Sequence, residues 1–255
     1  MTHRRSSHRP PTVGIVGFGA FGRLMALHLS RHMALLAYDP APPAPEGARD
    51  DGATMAGLPA VAACDIVVLA TPVSRLADVV AGIAPLLRPG ALVVDVCSVK
   101  VGPAEILRAG LPEHVEILGT HPLFGPQSAR DGVAGHKIAL CPVRGTQWRR
   151  VAAFLRRVSR LDVIVTTPDA HDREAATVQG LTHLIAKVLV RMEKLPTRMT
   201  TASFDRLCQA VEMVRHDAPD VFLAIEQANP YAPDVRRRFF QLAAELDREL
   251  EDRHP

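Results

Sequence analysis

The sequence has few cysteines, no long apolar run and little net charge, and each shortage excludes a class of protein. The four cysteines are scattered without CxxC spacing, which fits reduced thiols in a cytoplasmic protein and argues against a metal site. No run of about 18 uncharged apolar residues occurs, so we expect no membrane-spanning helix and no membrane partner. The net charge of +3 lies partly in the first nine residues, so we expect no nucleic-acid partner for the rest of the chain.

The N-terminus is a basic stretch that is not followed by an apolar run. This pattern matches neither a secretion signal nor a membrane anchor. We predict a disordered tail over residues 1–11, with a nucleic-acid-binding arm as the alternative. Apolar residues make up 47% of the 255 residues. That share is enough for a real core, in one large domain or two modest ones.

Residues 12–165 alternate short β-branched runs with helix-like segments. This pattern predicts a doubly wound parallel sheet, the Rossmann architecture of the α/β class. The predicted strands are Thr12–Gly17, Ala34–Asp39, Asp65–Ala70, Ala91–Asp95, Val115–Leu118, Lys137–Leu140 and Leu161–Val165. The predicted helices are Ala20–Ser30, Ser74–Leu87, Pro103–Ala109 and Thr146–Ser159. A proline-rich surface connection is predicted over Pro40–Asp51.

After residue 165 only helical periodicity is visible, so we place a second, all-helical domain at residues 166–255. Pro168 and Asp169 mark its first helix start. The predicted helices are Asp169–Glu193, Ser203–Arg215, Pro219–Gln227 and Pro233–Arg253. A helical set of about 90 residues often completes its core across a dimer interface, so we expect a homodimer formed through this domain.

A glycine-rich motif follows the first predicted strand and opens the first predicted helix. It consists of Gly17, Phe18, Gly19, Ala20, Phe21 and Gly22. Such glycines allow a tight turn, close approach of the backbone to a pyrophosphate, and close helix–strand packing, while the helix N-terminus binds the phosphates. The strand–turn–helix context favours a dinucleotide site over an ordinary glycine turn.

Two strand ends add candidate cofactor contacts. The carboxylate of Asp39 would accept hydrogen bonds from ribose hydroxyls and repel a 2′-phosphate. No arginine follows it immediately, so we predict NAD rather than NADP; the alternative is that Asp39 only begins the proline-rich turn. Thr71 and Pro72 end a later strand at the carboxyl edge of the sheet, where such folds bind ligands.

Candidate catalytic residues lie in two segments of the first domain. His121 lies in THPLFGP, a loop whose proline and glycine residues give it a set shape. A histidine held in this way near a dinucleotide is a candidate general base. Ser98 and Lys100 lie in DVCSVK, after a predicted strand. Ser98 is alternatively a turn residue or helix cap, and Lys100 a solvated charge or structural partner.

A third segment lies on the first helix of the second domain, where His171, Gln179 and His183 interrupt a surface rich in Ala, Leu and Val. Gln179 and His183 are four residues apart and share one face. A helix that directs polar groups toward a domain junction is typical of a substrate-binding wall. The alternatives are a satisfied core histidine for His183 and a structural hydrogen bond for His171.

Together these segments resemble the prephenate/arogenate dehydrogenase family of tyrosine biosynthesis, and most of all its compact plant-type branch. The resemblance extends from about Val13 to the C-terminus. It depends on four motifs in order, which read GFGAFG, DVCSVK, THPLFGP and HDREAATVQGLTH. It implies a Rossmann domain followed by a helical dimerisation domain, in agreement with the boundary above.

The resemblance implies an NAD-dependent oxidative decarboxylation of a cyclohexadienol. Hydride passes to NAD, the 4-hydroxyl loses its proton, and carbon dioxide leaves as the ring becomes aromatic, so the enzyme mainly has to position its substrate and supply one base. His121 matches the family's catalytic histidine, and Ser98 a serine that hydrogen-bonds near the same hydroxyl. His183 matches a histidine that contacts the substrate carboxylate; Gln179 and Lys100 are further candidate substrate contacts.

One departure from the family concerns the substrate. The arginine that binds the substrate carboxylate in many bacterial members is absent from Thr200–Leu207, and Arg206 and Arg215 are unassigned substitutes. Asp220 matches an acidic position that favours arogenate in the plant-type branch, because a carboxylate attracts the ammonium of arogenate and not the keto acid of prephenate. We therefore predict an arogenate preference; the alternative is that Asp220 only starts a helix.

Three other functions remain open. A 4-amino-4-deoxyprephenate dehydrogenase of secondary metabolism would require the same cofactor and could use His121. A β-hydroxyacid or imine dehydrogenase would depend on a lysine of the first long helix of the second domain, where Lys187 lies without the usual surrounding motif. A catalytically lapsed NAD-binding sensor is disfavoured by the intact pair of Ser98 and His121.

Overall fold

The computed structural model describes residues 10–41, 52–192, 194–215 and 217–252. The predicted disordered tail therefore lies outside the described residues except for Pro10 and Pro11. Most of the predicted proline-rich connection, residues 42–51, lies outside them as well.

The described strands form one eight-stranded sheet in the order β3-β2-β1-β4-β5-β6-β7-β8. They are β1 (Val13–Val16), β2 (Leu35–Tyr38), β3 (Thr54–Met55), β4 (Ile66–Leu69), β5 (Leu92–Asp95), β6 (Glu116–Pro122), β7 (Lys137–Arg144) and β8 (Asp162–Val165). Every neighbouring pair is parallel except β6 and β7. The predicted doubly wound sheet is thus confirmed, with a reversal at β7. The reason is the connection over residues 123–136, which has no helix, whereas a parallel return needs a crossover, usually a helix.

Helices cover both faces of the sheet. They are α1 (Ala20–Leu29), α2 (Leu58–Ala62), α3 (Leu76–Ile83), α4 (Val101–Gly110), α5 (Trp148–Arg157), α6 (Pro168–Ala175), α7 (Leu181–Arg191), α8 (Ala202–Val214), α9 (Pro219–Leu223) and α10 (Ala232–Glu251). One buried cluster packs α2, α3 and α4 on one face, and a second packs α1 and α5 on the other. Because both faces are covered, the strands are apolar nearly throughout. β3 and α2 were not predicted from the sequence, because they have only two and five residues.

The architecture changes after Val165, where β8 ends and the elements described up to residue 252 are helical. Pro168 opens α6, and the hydroxyl of Thr167 caps it by accepting a hydrogen bond from the Ala170 amide at 3.2 Å. The long helix predicted over residues 169–193 is interrupted by a π-helical turn at Ala176–Gly180. A second π-helical turn, Ala224–Ala228, continues α9, and the two turns pack against each other.

Of the helices in the described part of the chain, none has both the length and the apolar character that crossing a bilayer requires.

Candidate active site

The glycine motif lies where the order of strands reverses. β1 and β4 are neighbours although they are not consecutive in the chain, and α/β sheets bind ligands at such a point. Gly17 has a φ of +96°, which favours glycine. A Cβ at Gly17 would lie 2.5 Å from the Ala70 carbonyl oxygen, and one at Gly22 would lie 2.3 Å from the Gly17 carbonyl oxygen. A Cβ at Gly19 would meet no atom within 4 Å, so the motif leaves open space at the start of α1.

The surroundings of this motif fit a dinucleotide. No described side chain caps α1, and its first turn has no acidic residue, so its first N–H groups can bind an anion. Asp39 lies beside the motif, because its Oδ2 accepts a hydrogen bond from the Phe18 amide at 2.6 Å. The Thr71 hydroxyl is buried without a partner among the described residues, and the exposed Pro72 follows it.

His121 lies on a strand, so the prediction that it lies in a loop was wrong. β6 continues through His121 to Pro122, and His121 is paired with Ala139 of β7. Proline and glycine spacing along one segment does not reveal a partner strand that lies further along the chain. The ladder of hydrogen bonds to β7, and not a turn, holds this histidine, which is only 3% exposed.

The imidazole of His121 is held in its neutral form. Burial lowers the pKa of His121 well below its usual range, and the electrostatic cost of adding a proton beside His171, Lys100 and His183 lowers it further. A histidine with a lowered pKa stays unprotonated at neutral pH. His121 can therefore accept a proton, as a general base must.

Two buried residues of α6 extend from His121 toward α4. The Nδ1 atom of His121 lies 2.8 Å from Nε2 of His171, and Nδ1 of His171 lies 2.7 Å from Oδ1 of Asp172. The Asp172 carboxylate also accepts hydrogen bonds from the amides of Lys100 at 2.7 Å and Val101 at 2.8 Å, where α4 begins. His171 was expected to face the substrate or to make a structural hydrogen bond, and Asp172 was not predicted; the signal for both was the adjacent His-Asp pair at a helix start.

The predicted substrate wall lies on the other side of His121. Gln179, in the first π-helical turn, places its Nε2 3.2 Å from Nε2 of His121, and its Oε1 is buried without a partner among the described residues. His183 donates from Nδ1 to the Gln179 carbonyl oxygen at 2.9 Å, and its Nε2 lies 3.1 Å from Oδ2 of Asp217. The structure thus brings Gln179 and His183 together with His121, and adds Asp217, which the sequence analysis did not select.

Ser98 and Lys100 both follow β5, but they differ in their surroundings. Asp95 of β5 is in register with Gly119 of β6, which places the half-buried Ser98 at the same sheet edge as His121. Lys100 is 1% exposed, and its amine donates to Asp95 and to the Thr120 carbonyl oxygen. This burial favours the structural role for Lys100 over a substrate contact.

The residues considered for substrate discrimination lie at several places. Asp220 is exposed at the start of α9 and lines a cavity of about 280 Å³ with Pro72 and Ser74. Arg215 forms an ion pair with Glu212, and Arg206 is exposed on α8. The acidic residue in contact with the His183 ring is Asp217.

Other catalytic chemistries find little support at this edge. Across the described ranges, no three His, Cys, Asp or Glu side chains are grouped as a metal site requires. Burial raises the pKa of the Cys141 thiol to about 12 and raises that of Cys97 far above its usual range. Thiols with raised pKa values are poor nucleophiles.

A family model described as the nucleotide-binding domain of prephenate dehydrogenase matches residues 26–182. The chain belongs to the prephenate dehydrogenase family. This membership confirms the resemblance drawn from the four motifs.

Individual family members are distant. The chain is 26% identical over 193 residues to a probable arogenate/prephenate dehydrogenase of Methanocaldococcus jannaschii, covering 71% of this chain and 43% of that protein. It is 28% identical over 237 residues to the chloroplastic arogenate dehydrogenase 1 of Arabidopsis thaliana, covering 89% and 37%. It is 28% identical over 244 residues to a 4-amino-4-deoxyprephenate dehydrogenase of Streptomyces pristinaespiralis, covering 88% and 79%. The chain therefore spans less than half the length of the first two relatives.

Solved structures of the family share the fold. A prephenate dehydrogenase from A. aeolicus, in complex with hydroxyphenyl propionate and NAD+, superposes with a TM-score of 0.73 at 22% identity, over 96% of this chain and 92% of that one. The arogenate dehydrogenase of Synechocystis superposes with a TM-score of 0.70 at 19% identity, over 94% and 92%.

Proposed function

We propose that this protein is an NAD-dependent dehydrogenase that oxidatively decarboxylates a cyclohexadienol, arogenate or prephenate, in tyrosine biosynthesis. The observation that carries the proposal is His121, which is neutral, buried and held at the carboxyl edge of the sheet. The open space at Gly19 and the uncapped start of α1 lie at the same edge. This shared edge supports a base and a dinucleotide site that serve one substrate position.

His121 takes the proton of the substrate 4-hydroxyl. When bound, NAD supplies the acceptor for the hydride that leaves the carbon bearing this hydroxyl. The hydroxyl proton moves to Nε2 of His121, the atom that now faces the Gln179 amide. Carbon dioxide leaves from the ring carboxylate as the ring becomes aromatic. Ser98, half-buried after β5, is placed to hydrogen-bond the same hydroxyl.

Asp39 supports NAD over NADP. Its carboxylate contacts the Phe18 amide and so lies where the ribose of a dinucleotide on this motif would be. A 2′-phosphate at that position would bring a second negative charge against the carboxylate. We expect kcat/KM to be higher with NAD than with NADP, and Asp39→Ala to reduce that ratio.

His183 and Asp217 support a zwitterionic side chain on the substrate, which points to arogenate. The two ring nitrogens of His183 face the Gln179 carbonyl oxygen and the Asp217 carboxylate. An imidazole beside a carboxylate can exchange these contacts for the carboxylate and the ammonium of a zwitterion. Asp220, the residue selected from the sequence, adds a second negative charge near Pro72.

A homodimer through the helical region is part of the proposal. On α10, Leu242, Leu246 and Leu250 are 46%, 56% and 55% exposed and lie four residues apart on one face. Such an apolar row is typical of a surface that a partner covers. Sedimentation velocity should give a dimer, and Leu246→Glu should shift it toward the monomer. The cytoplasmic location stays a prediction.

The 4-amino analogue of prephenate is the second candidate substrate. The dehydrogenase of Streptomyces pristinaespiralis named for it aligns over 79% of its own length, a larger share than for the first two relatives. A neutral His121 can accept a proton from a 4-ammonium group as it can from a 4-hydroxyl group. Fold and base are therefore compatible with both substrates.

The decisive experiment measures NADH formation with arogenate, prephenate and 4-amino-4-deoxyprephenate side by side. We expect His121→Asn to lose about 10²–10⁴-fold in kcat, because it removes the base, and to keep its affinity for NAD. His114→Asn, at an exposed histidine, serves as the matched control and should keep full activity. Full activity in His121→Asn would show that the base lies elsewhere. No turnover of any of the three substrates by the wild type would refute the proposed function.

A further inference from the structure

We propose that Asp172 and His171 are positioning residues that fix the tautomer of His121, so that its Nε2 always carries the lone pair that faces the substrate. The inference rests on the proposed function in taking His121 as the base. It assigns roles to two residues that need not touch substrate or cofactor. It depends on the order of hydrogen-bond donors and acceptors along one buried chain of side chains.

The chain starts at Asp172, which is fully buried. Its Oδ1 accepts from the Lys100 amide, and its Oδ2 accepts from the Val101 amide at the first residue of α4. These amides can only donate, so both carboxylate oxygens of Asp172 act as acceptors. The start of α4 adds the positive end of a helix dipole, and the Asn229 side chain holds the Asp172 carbonyl oxygen at 2.8 Å. Asp172 is therefore a fixed acceptor.

A fixed acceptor at Asp172 determines which ring nitrogen carries the proton in His171 and in His121. Nδ1 of His171 faces Oδ1 of Asp172, so it must carry a proton, and Nε2 of His171 is an acceptor as long as this ring carries no second proton. Nδ1 of His121 faces that acceptor at 2.8 Å and must in turn carry a proton. In the neutral His121 ring this leaves the lone pair on Nε2. The Gln179 amide, which donates toward Nε2 at 3.2 Å, agrees with this assignment.

The charged groups around His121 are compatible with this order of hydrogen-bond donors and acceptors. The Lys100 amine donates hydrogen bonds to the Thr120 carbonyl oxygen and to Asp95. His183 lies beyond Gln179 and is paired with Asp217. The directly bonded ring partner of His121 Nδ1 is His171. A proton arriving from substrate at Nε2 would make His121 an imidazolium, whose Nδ1–H bond to His171 would strengthen while Asp172 offsets its charge.

Two substitutions at His171 separate positioning from packing. His171→Leu removes the acceptor that faces His121, so we expect kcat to fall about 10²–10⁴-fold, as when the orienting partner of a catalytic histidine is lost. His171→Gln keeps an amide oxygen that can accept from Nδ1 of His121, so we expect it to regain at least about tenfold over His171→Leu. Both variants should bind NAD as the wild type does.

The direct readout is the tautomer itself, from ¹⁵N NMR of the histidine side chains in the full-length protein at neutral pH, without substrate. We expect the Nδ1–H form of His121 in the wild type and in His171→Gln, and a substantial Nε2–H population in His171→Leu. An Nε2–H form in the wild type, or an unchanged tautomer in a folded His171→Leu, would overturn the inference. An inactive wild type that shows the expected tautomers would refute the proposed function and leave this inference standing.

Discussion

Replacing Lys100 tests whether this residue stabilises the fold through its buried ion pair or contacts the substrate. Lys100→Met removes one partner of an ion pair in which both side chains are 1% exposed. Asp95 would keep a buried charge, and the Thr120 carbonyl oxygen would lose its donor. Breaking a buried pair in this way costs about 3–5 kcal/mol, out of the roughly 5–15 kcal/mol that stabilises a typical protein. We therefore expect the free energy of unfolding to fall by that amount and the Tm by about 6–20 °C.

The assay is urea denaturation followed by circular dichroism, with thermal melts alongside. Asp95→Asn/Lys100→Met should be more stable than Lys100→Met alone, because no charge is then left buried. Lys137→Met, at an exposed lysine of β7, is the control and should unfold as the wild type does. The reasoning is refuted if Lys100→Met keeps wild-type stability and instead raises the KM of the cyclohexadienol, since Lys100 would then be a substrate contact.

The remaining predictions concern cofactor binding, pH and substrate choice. Gly19→Ala should keep the wild-type Tm, because no atom lies within 4 Å of the added Cβ. The same variant should weaken NAD binding at least about tenfold in calorimetric titration. Gly22→Ala should instead lower the Tm, because its Cβ would lie 2.3 Å from a carbonyl oxygen. Because burial lowers the pKa of folded His121, the unfolded chain binds an extra proton below about pH 6.5, so stability should fall with decreasing pH by up to about 1.4 kcal/mol per unit from this group. His121→Asn should reduce that slope in urea denaturation at pH 7, 6 and 5, and equal slopes would contradict the assignment. Asp217→Asn should reduce the preference in kcat/KM for arogenate over prephenate by about tenfold, and a larger effect of Asp220→Asn would favour the residue chosen from the sequence.

Local patterns were enough to predict most of the sheet. The strands from Val13–Val16 to Asp162–Val165 were found because buried strands are apolar throughout and glycine and proline bound them. The antiparallel direction of β7 was not predicted, because it depends on the absence of a crossover helix from the connection over residues 123–136. The π-helical turn at Ala176–Gly180 was missed for another reason: its residues have ordinary helical periodicity, and tertiary packing decides whether one extra residue fits into a turn.

The residues of the site were predicted better than the contacts between them. His121, Gln179 and His183 were selected as polar residues in apolar or constrained segments, and the structure gathers them. That Asp172 serves the base could not be derived from spacing, because its role depends on a contact with the start of α4, 71 residues earlier. The burial of Lys100 is a similar case, since a lysine is seldom buried without a partner and its partner Asp95 was assigned only to a strand.

The hydrogen bonds from Asp172 to α4 also limit how the molecule can open. Asp172 belongs to the helical region, whereas Lys100 and Val101 belong to the nucleotide-binding region, so these two hydrogen bonds tie the regions together beside the histidine pair. We expect any relative motion of the two regions to be smaller here than at exposed contacts between them, such as the contact of the turn after β4 with the second π-helical turn. The histidine pair would then stay assembled from one turnover to the next.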